Sequence, residues 1–220
     1  MYNNFKNEIR GKAIMFVKNL MLPVEKLVTI TPKDTIKTAL ELIEKNNFLS
    51  IPVAENEKFY GSISKDRIYA FYYEKSLDKE CLLSDFKVEN VMREDVPAIH
   101  PLEQMEKAAH FLEVKSVSFV AVVDEYGVFK GIVTHHAIFH EFTELFGLNK
   151  GRRLAVIAYD IPGQVSKLSR IISENGGDII SFVVVDPRSV TDVKEIAIRI
   201  RTENFQQILE KVRDAGFKIQ

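Results

Sequence analysis

"TITPKDTIKTALELIEKNNFLSIPV", Thr29 to Val53, returns 69 positions later as "AIHPLEQMEKAAHFLEVKSVSFVAV", Ala98 to Val122. Pro32 falls on Pro101, Ala39 on Ala108 and Val53 on Val122. After a slip of one residue in the following turn, Gly61 falls on Gly131 and Ser64 on Thr134. Each copy reads the same way physically. A short strand ends at the proline. An amphipathic helix follows, with apolar residues at helical spacing: Ile36, Leu40 and Ile43 in one copy, Met105, Ala108 and Leu112 in the other. A β-rich run comes next, then a polar turn ("ENEKFYG", "DEYGVFKG") and another short strand. A Ser or Thr then opens a second helix in the manner of an N-cap.

This β-α-β-β-α unit, present twice, resembles the CBS domain, and a tandem pair resembles the Bateman module. The residues that carry the likeness are "NLM" and "NVM" at the starts, "TITPKDTIKTAL" and "AIHPLEQMEKAA", the "VVDEYG" turn, and the strand ends "GSIS" and "GIVT". Expected boundaries are an N-terminal arm over 1–16, a first CBS domain over 17–75, a charged linker over 76–87 and a second CBS domain over 88–147.

From Arg152 the pattern changes. "RLAVIAYDIPGQ" alternates as a strand and turns at Pro162-Gly163. "VSKLSRIISENGG" is helical and stops at Gly176-Gly177, which suit a C-cap. "DIISFVVVD" is a strand, "DPRSVTD" a turn-rich connection, "KEIAIRIRT" a half-buried antiparallel strand, "ENFQQILEKVRDAG" a helix and "FKI" a last strand. The order βαββαβ is the ferredoxin-like plan. Together with "YDIPGQVSKLSRIISENGGDI" it resembles the ACT domain, over 148–220. The whole is therefore expected to be an α/β (α+β) chain: two CBS repeats forming a Bateman module, then a ferredoxin-like ACT domain. Chains of this plan resemble cyclic-di-AMP-binding CBS–ACT proteins and the acetoin-utilisation protein B group.

Composition narrows the function. The chain of 220 residues has a formal net charge of −1, 46% hydrophobic and 28% charged residues. No broad basic field calls for nucleic acid or anionic lipid. The single cysteine, Cys81, cannot form an internal disulfide. Apolar runs such as "FVAVV" are too short to span a bilayer. A cytoplasmic protein is expected. There is no GxxxxGK[ST] loop, no GxGxxG and no GxSxG elbow. Cys81 has no histidine near it in the sequence, and the carboxylates are scattered as on solvated helix faces. No enzyme is expected.

The stretch "GIVTHHAIFHEF", Gly131 to Phe142, holds three histidines, and His136 and His140 have the spacing of a metal-binding pair on a helix. The repeat argues against a metal. The first copy has Lys65, Asp66 and Ala70 where the second has His135, His136 and His140, and those are not a ligand set. No metal and no other cofactor are expected.

The CBS resemblance implies adenine-nucleotide binding in a cleft beside the Ser or Thr at each strand-to-helix turn. A helix start offers free N–H groups and a positive dipole end, which suit phosphate. Ser64 and Thr134 either donate to such a phosphate or merely cap their helices. Lys65 and Arg67 follow in the first copy, His135 and His136 in the second, and an imidazole can meet phosphate oxygens as a cation or a neutral donor. Walls for a base are expected from Thr29, Ile51 and Pro52, and from Ala98, Val120 and Val122. Nucleotide-binding CBS repeats usually read G-h-x-[ST]-x-x-[DN], the last residue holding ribose hydroxyls. Here that place is Arg67 and Ala137. A cyclic dinucleotide, whose ribose hydroxyls are partly engaged in phosphodiester bonds, needs such a clamp less. Cyclic di-AMP is therefore the preferred ligand, with AMP or ATP the alternative.

The ACT resemblance implies an amino-acid-like ligand near Asp160, Gly163, Gln164 and Val165, although "DIPGQ" also reads as a plain strand-to-helix turn with Pro at the first helical position. The aromatic run "YAFYYE" suits a dimer face better than a ligand site. The expected protein is a homodimeric, non-enzymatic sensor, its partners a nucleotide, a second copy of itself and a regulated protein. A ligand-free dimerisation scaffold is the reading from another class.

Overall fold

The computed structural model describes residues 15–75, 84–186 and 192–220. The arm before residue 15, most of the charged linker with Cys81, and the turn over 187–191 lie outside the described residues. The chain divides into two compact units, Met1–Phe139 and His140–Gln220.

In the first unit, helix α1 (Val17–Leu20) leads to strand β1 (Leu22–Pro23). Helix α2 (Ile36–Lys45), the hairpin β2 (Ser50–Glu55) and β3 (Lys58–Ser64), and helix α3 (Lys65–Lys75) complete the first copy. The second copy consists of β4 (Ala98–Ile99), α4 (Met105–Lys115), β5 (Phe119–Val123), β6 (Phe129–Thr134) and α5 (His135–Leu145), the last helix running on past the division. The duplication is visible in fine detail. Ile30 bridges Val53 in parallel, as Ile99 pairs with Val122. Both hairpins shift register at matching places, between Val53 and Ala54 and between Val122 and Val123. Apolar helix and strand faces close into a core around Ile36, Ile43, Ile51 and Ile63, and the strand residues Phe119, Phe129 and Ile132 form another cluster.

The copies are not self-contained. Each lends its leading segment to the other. Leu22 and Pro23 of β1 pair with Ile132 and Gly131 of β6, and Arg93 bridges Ser62 of β3. Val17 donates its backbone N–H to Glu103 as Val88 does to Asp34, both at 2.9 Å. The glycines permit this exchange. A Cβ on Gly61 would stand 2.1 Å from the Arg93 carbonyl oxygen, and one on Gly131 would stand 2.2 Å from that of Leu22. Any side chain there would push the crossing strand away.

The second unit has β7 (Arg152–Tyr159), α6 (Gln164–Glu174), β8 (Asp178–Val185), β9 (Val193–Arg201), α7 (Phe205–Asp214) and β10 (Lys218–Ile219). Its antiparallel sheet runs in the order β10-β7-β9-β8. This is the expected βαββαβ plan. One face packs Leu154, Val156, Ile196, Ile198 and Ile200 against Leu168, Ile172, Ile208 and Val212 of the helices. Residues after α5 dock on this sheet. The Ser181 hydroxyl donates to the Phe146 carbonyl at 2.9 Å, and Gly147 sits against Ile180.

Candidate functional site

The helix starts at the ends of β3 and β6 are built alike. The Ser64 hydroxyl accepts the Arg67 N–H at 3.3 Å, and the Thr134 hydroxyl accepts the Ala137 N–H at 3.2 Å. Both residues are N-caps, which satisfies one orphan donor of each helix and leaves each hydroxyl hydrogen to donate. The two caps open into a single cleft of about 890 Å³ within the first unit. Both copies contribute to it, and Ser50 and Ser118, one from each, are hydrogen-bonded through their hydroxyls.

Of the expected nucleotide residues, Ile51, Pro52, Ser64, Arg67, Thr134, His135 and His136 line this cleft. Five others do not. Val120 and Val122 are 0% exposed, because their strand is covered on both faces and the apolar run carries no alternation to reveal it. Ala98 is exposed on β4, and Thr29 is half-buried outside the lining. Lys65 turns to Glu44 at 2.9 Å and over the Tyr69 ring, and the bond to Glu44 raises its pKa above the usual lysine range.

The lining contains residues that local sequence pattern does not single out. Arg93, Lys26, Phe48, Leu49 and Val117 all reach it. Arg93 occupies the place just after "NVM", where the first copy has Leu22 after "NLM". A basic residue at a repeated position that is otherwise apolar is the one signal that marks it. Its guanidinium donates to the Lys115 and Ser116 carbonyls at 3.2 and 3.1 Å, tying down the C-terminal end of α4, where a cation is favoured. Asp95 pairs with it at 2.7 Å, and that bond holds the Asp95 carboxyl below the usual aspartate range. Arg67 donates through Nε to the Val91 carbonyl at 2.9 Å, so it binds the crossing segment of the other copy. At the position where a ribose clamp would accept a hydroxyl, this chain has a donor already committed to the backbone.

The chemistry of the lining is set by Lys26, Arg67, Arg93, His135 and His136, with Asp66 as the carboxylate among them. Cationic donors, two capped helix starts and apolar patches from Leu22, Phe48 and Ile132 suit an anion that carries a flat or apolar body. Among the described residues, no group of three or more His, Cys, Asp or Glu side chains could hold a metal ion, and no helix is long and apolar enough to cross a membrane. In the second unit, Asp160 is ion-paired with Lys194 at 2.8 Å, Gly163 precedes α6 with φ +91°, and Gln164 and Val165 begin that helix.

Comparison with known proteins places the duplicated unit. The CBS domain family pattern matches residues 17–74 and 88–144. Two curated relatives are UPF0053 protein YrkA of Bacillus subtilis, 28% identical over 56% of this chain, and homoserine O-acetyltransferase of Methanococcus vannielii, 29% identical over 58%. The matched stretch spans only 28% and 25% of those relatives' own lengths. Among solved structures, CbpB of Listeria monocytogenes in complex with c-di-AMP is 29% identical, with a TM-score of 0.53, covering 60% of this chain and 98% of that one.

Proposed function

From the premise that this chain belongs to the CBS domain family, we propose that its two CBS repeats bind an adenine nucleotide as a regulatory ligand, with cyclic di-AMP preferred. The observation that carries this reading is one cleft of about 890 Å³ lined from both copies, with a capped helix start and basic side chains contributed by each. That volume lies near the upper end of the range for small-molecule sites, about 300–1,000 Å³. The absence of a free acid or amide at Arg67 and Ala137 favours a ligand that does not need its ribose hydroxyls clamped. A solved CBS-domain relative at 29% identity carries c-di-AMP, which supports the same preference.

Titration calorimetry with cyclic di-AMP, AMP, ATP and S-adenosylmethionine tests the proposal. Saturable heat with cyclic di-AMP, tighter than with the mononucleotides, is the expected result. No heat with any of the four sinks it and leaves an assembly scaffold. A second reading, an AMP or ATP sensor of the acetoin-utilisation type, draws on the inequality of the two halves. Arg67, Arg93 and Ser62 belong to one half, and their counterparts Ala137, Leu22 and Ile132 are apolar. One phosphate-bearing end and one base would fill such a cleft, and tight AMP with weak cyclic di-AMP would select it.

The protein in this reading is a cytoplasmic, non-enzymatic homodimer that acts on a partner protein. The C-terminal unit serves as an ACT domain, with an amino-acid-like ligand beside Asp160, Gly163, Gln164 and Val165. Nucleotide binding alters activity only if the ligand favours one arrangement of the dimer over another.

A further inference from the structure

The ferredoxin-like sheet has one face covered by α6 and α7 and one face that carries a groove. On the grooved face Arg153 of β7 and Arg199 of β9 are direct register partners. Such partners project to the same side, with Cβ atoms about 4.5–5.5 Å apart, and like charges placed so destabilise the pairing. The counter-charge at hand is slight. Glu195 reaches Arg153 at 3.7 Å, and Arg199 takes part in none of the ion pairs among the described residues. Both arginines line a groove of about 250 Å³. The Ser181 hydroxyl, on the strand position paired with Arg199, lines it too. The rest of the wall is apolar: Phe146 and Leu148, held over the sheet by the Ser181–Phe146 bond, and Val183 and Val185 of β8.

We propose that this groove binds a small monocarboxylate with a short branched apolar chain. Its carboxylate lies between Arg153 and Arg199, relieving their repulsion, and its chain lies against Phe146, Leu148 and Val183. Guanidinium donors meet a carboxylate bidentately, and the apolar wall selects against smaller acids. The volume, below the usual range for drug-sized ligands, limits the chain to a few carbons. Asp160, Gly163, Gln164 and Val165 do not line this groove, so the site is separate from the one proposed at the β7–α6 turn.

The test is titration of the full chain with isovalerate, followed by methyl chemical shifts or calorimetry. Saturable binding is expected, with acetate weaker by about tenfold because it lacks the chain, a difference of about 1.4 kcal/mol. Isovaleramide, the neutral isostere, should not bind. Arg199→Gln should weaken isovalerate at least about tenfold, while thermal unfolding without ligand occurs at the same or a higher temperature, since a like-charge pair is removed. Arg199→Lys, which keeps the charge and loses the fork, should recover part of the affinity. Failure of isovalerate to saturate, equal binding of isovaleramide, or a lowered melting temperature of the unliganded Arg199→Gln protein would each overturn the proposal. A change in association state in that variant, without isovalerate binding in the parent, would make the groove an interface instead.

Discussion

At the scale of the residue, the helix starts carry the argument. Ser64 and Thr134 accept a backbone N–H, and each keeps a proton to donate into the cleft. His135 and His136 stand directly after Thr134 and line the same space. Replacing both with Ala should weaken nucleotide binding about tenfold or more, since a hydrogen bond to a charged group contributes about 1.5–3 kcal/mol. Circular dichroism should be unchanged, because both side chains are exposed. Unaltered affinity would remove them from the site. Asp95 makes a separate prediction. Arg93 lowers its folded-state pKa, so the pair's contribution is complete above the ordinary aspartate range and is lost as pH falls through the folded value. Asp95→Asn should therefore lower stability slightly in the neutral region and leave the acid end unchanged, so that the acid limb flattens, which urea melts across pH would register. The caps could be read in the sequence because a Ser or Thr before a helix has a local meaning. What Arg93 binds could not, because its partners on Lys115 and Ser116 are more than 20 residues away.

At the scale of the element, the exchange of leading segments decides how the cleft is closed. β1 crosses to β6, and the Arg93 segment crosses to β3. Gly131→Ala places a methyl 2.2 Å from the Leu22 carbonyl oxygen. Overpacking of this kind costs about 1–3 kcal/mol, and here the obstacle is backbone, which yields least. Chemical denaturation should show that loss together with weaker nucleotide binding, because Leu22 and Lys26 move with β1. Gly163→Ala is the contrast: φ is +91° but no atom lies within 4 Å, so the cost is backbone strain alone, about 1–2 kcal/mol, with the cleft unaffected. The duplicated strands and helices were legible from periodicity. Their partners were not, since either copy presents the same edge to a leading strand and the pattern does not say which edge it takes.

At the scale of the whole molecule, each unit has its own core. The first is built around clusters in each copy, the second around Leu168, Ile172 and Ile198. Ile172 is 0% exposed, so Ile172→Ala should destabilise the second unit by about 2–5 kcal/mol, seen as an earlier unfolding transition. Nucleotide affinity of the first unit should survive that change under conditions where the second still folds. In the parent protein, nucleotide at about 100 times its Kd should raise the stability of the first unit by about 2.7 kcal/mol. A shift confined to the second unit's transition would contradict the location of the cleft.

The sequence by itself determined the duplication, the capped helix starts and the βαββαβ order. Each of these follows from local spacing: 3.6 for a helix, 2 for a strand, and a hydroxyl just before a helix. Tertiary structure alone decided that the copies trade their leading strands, that Arg93 joins Arg67 in the cleft, that Val120 and Val122 turn into the core, and that Arg153 and Arg199 stand side by side on one face of the second unit's sheet. Those outcomes depend on register and on which distant backbone fits over a glycine, and no periodicity within one segment encodes its partner in another.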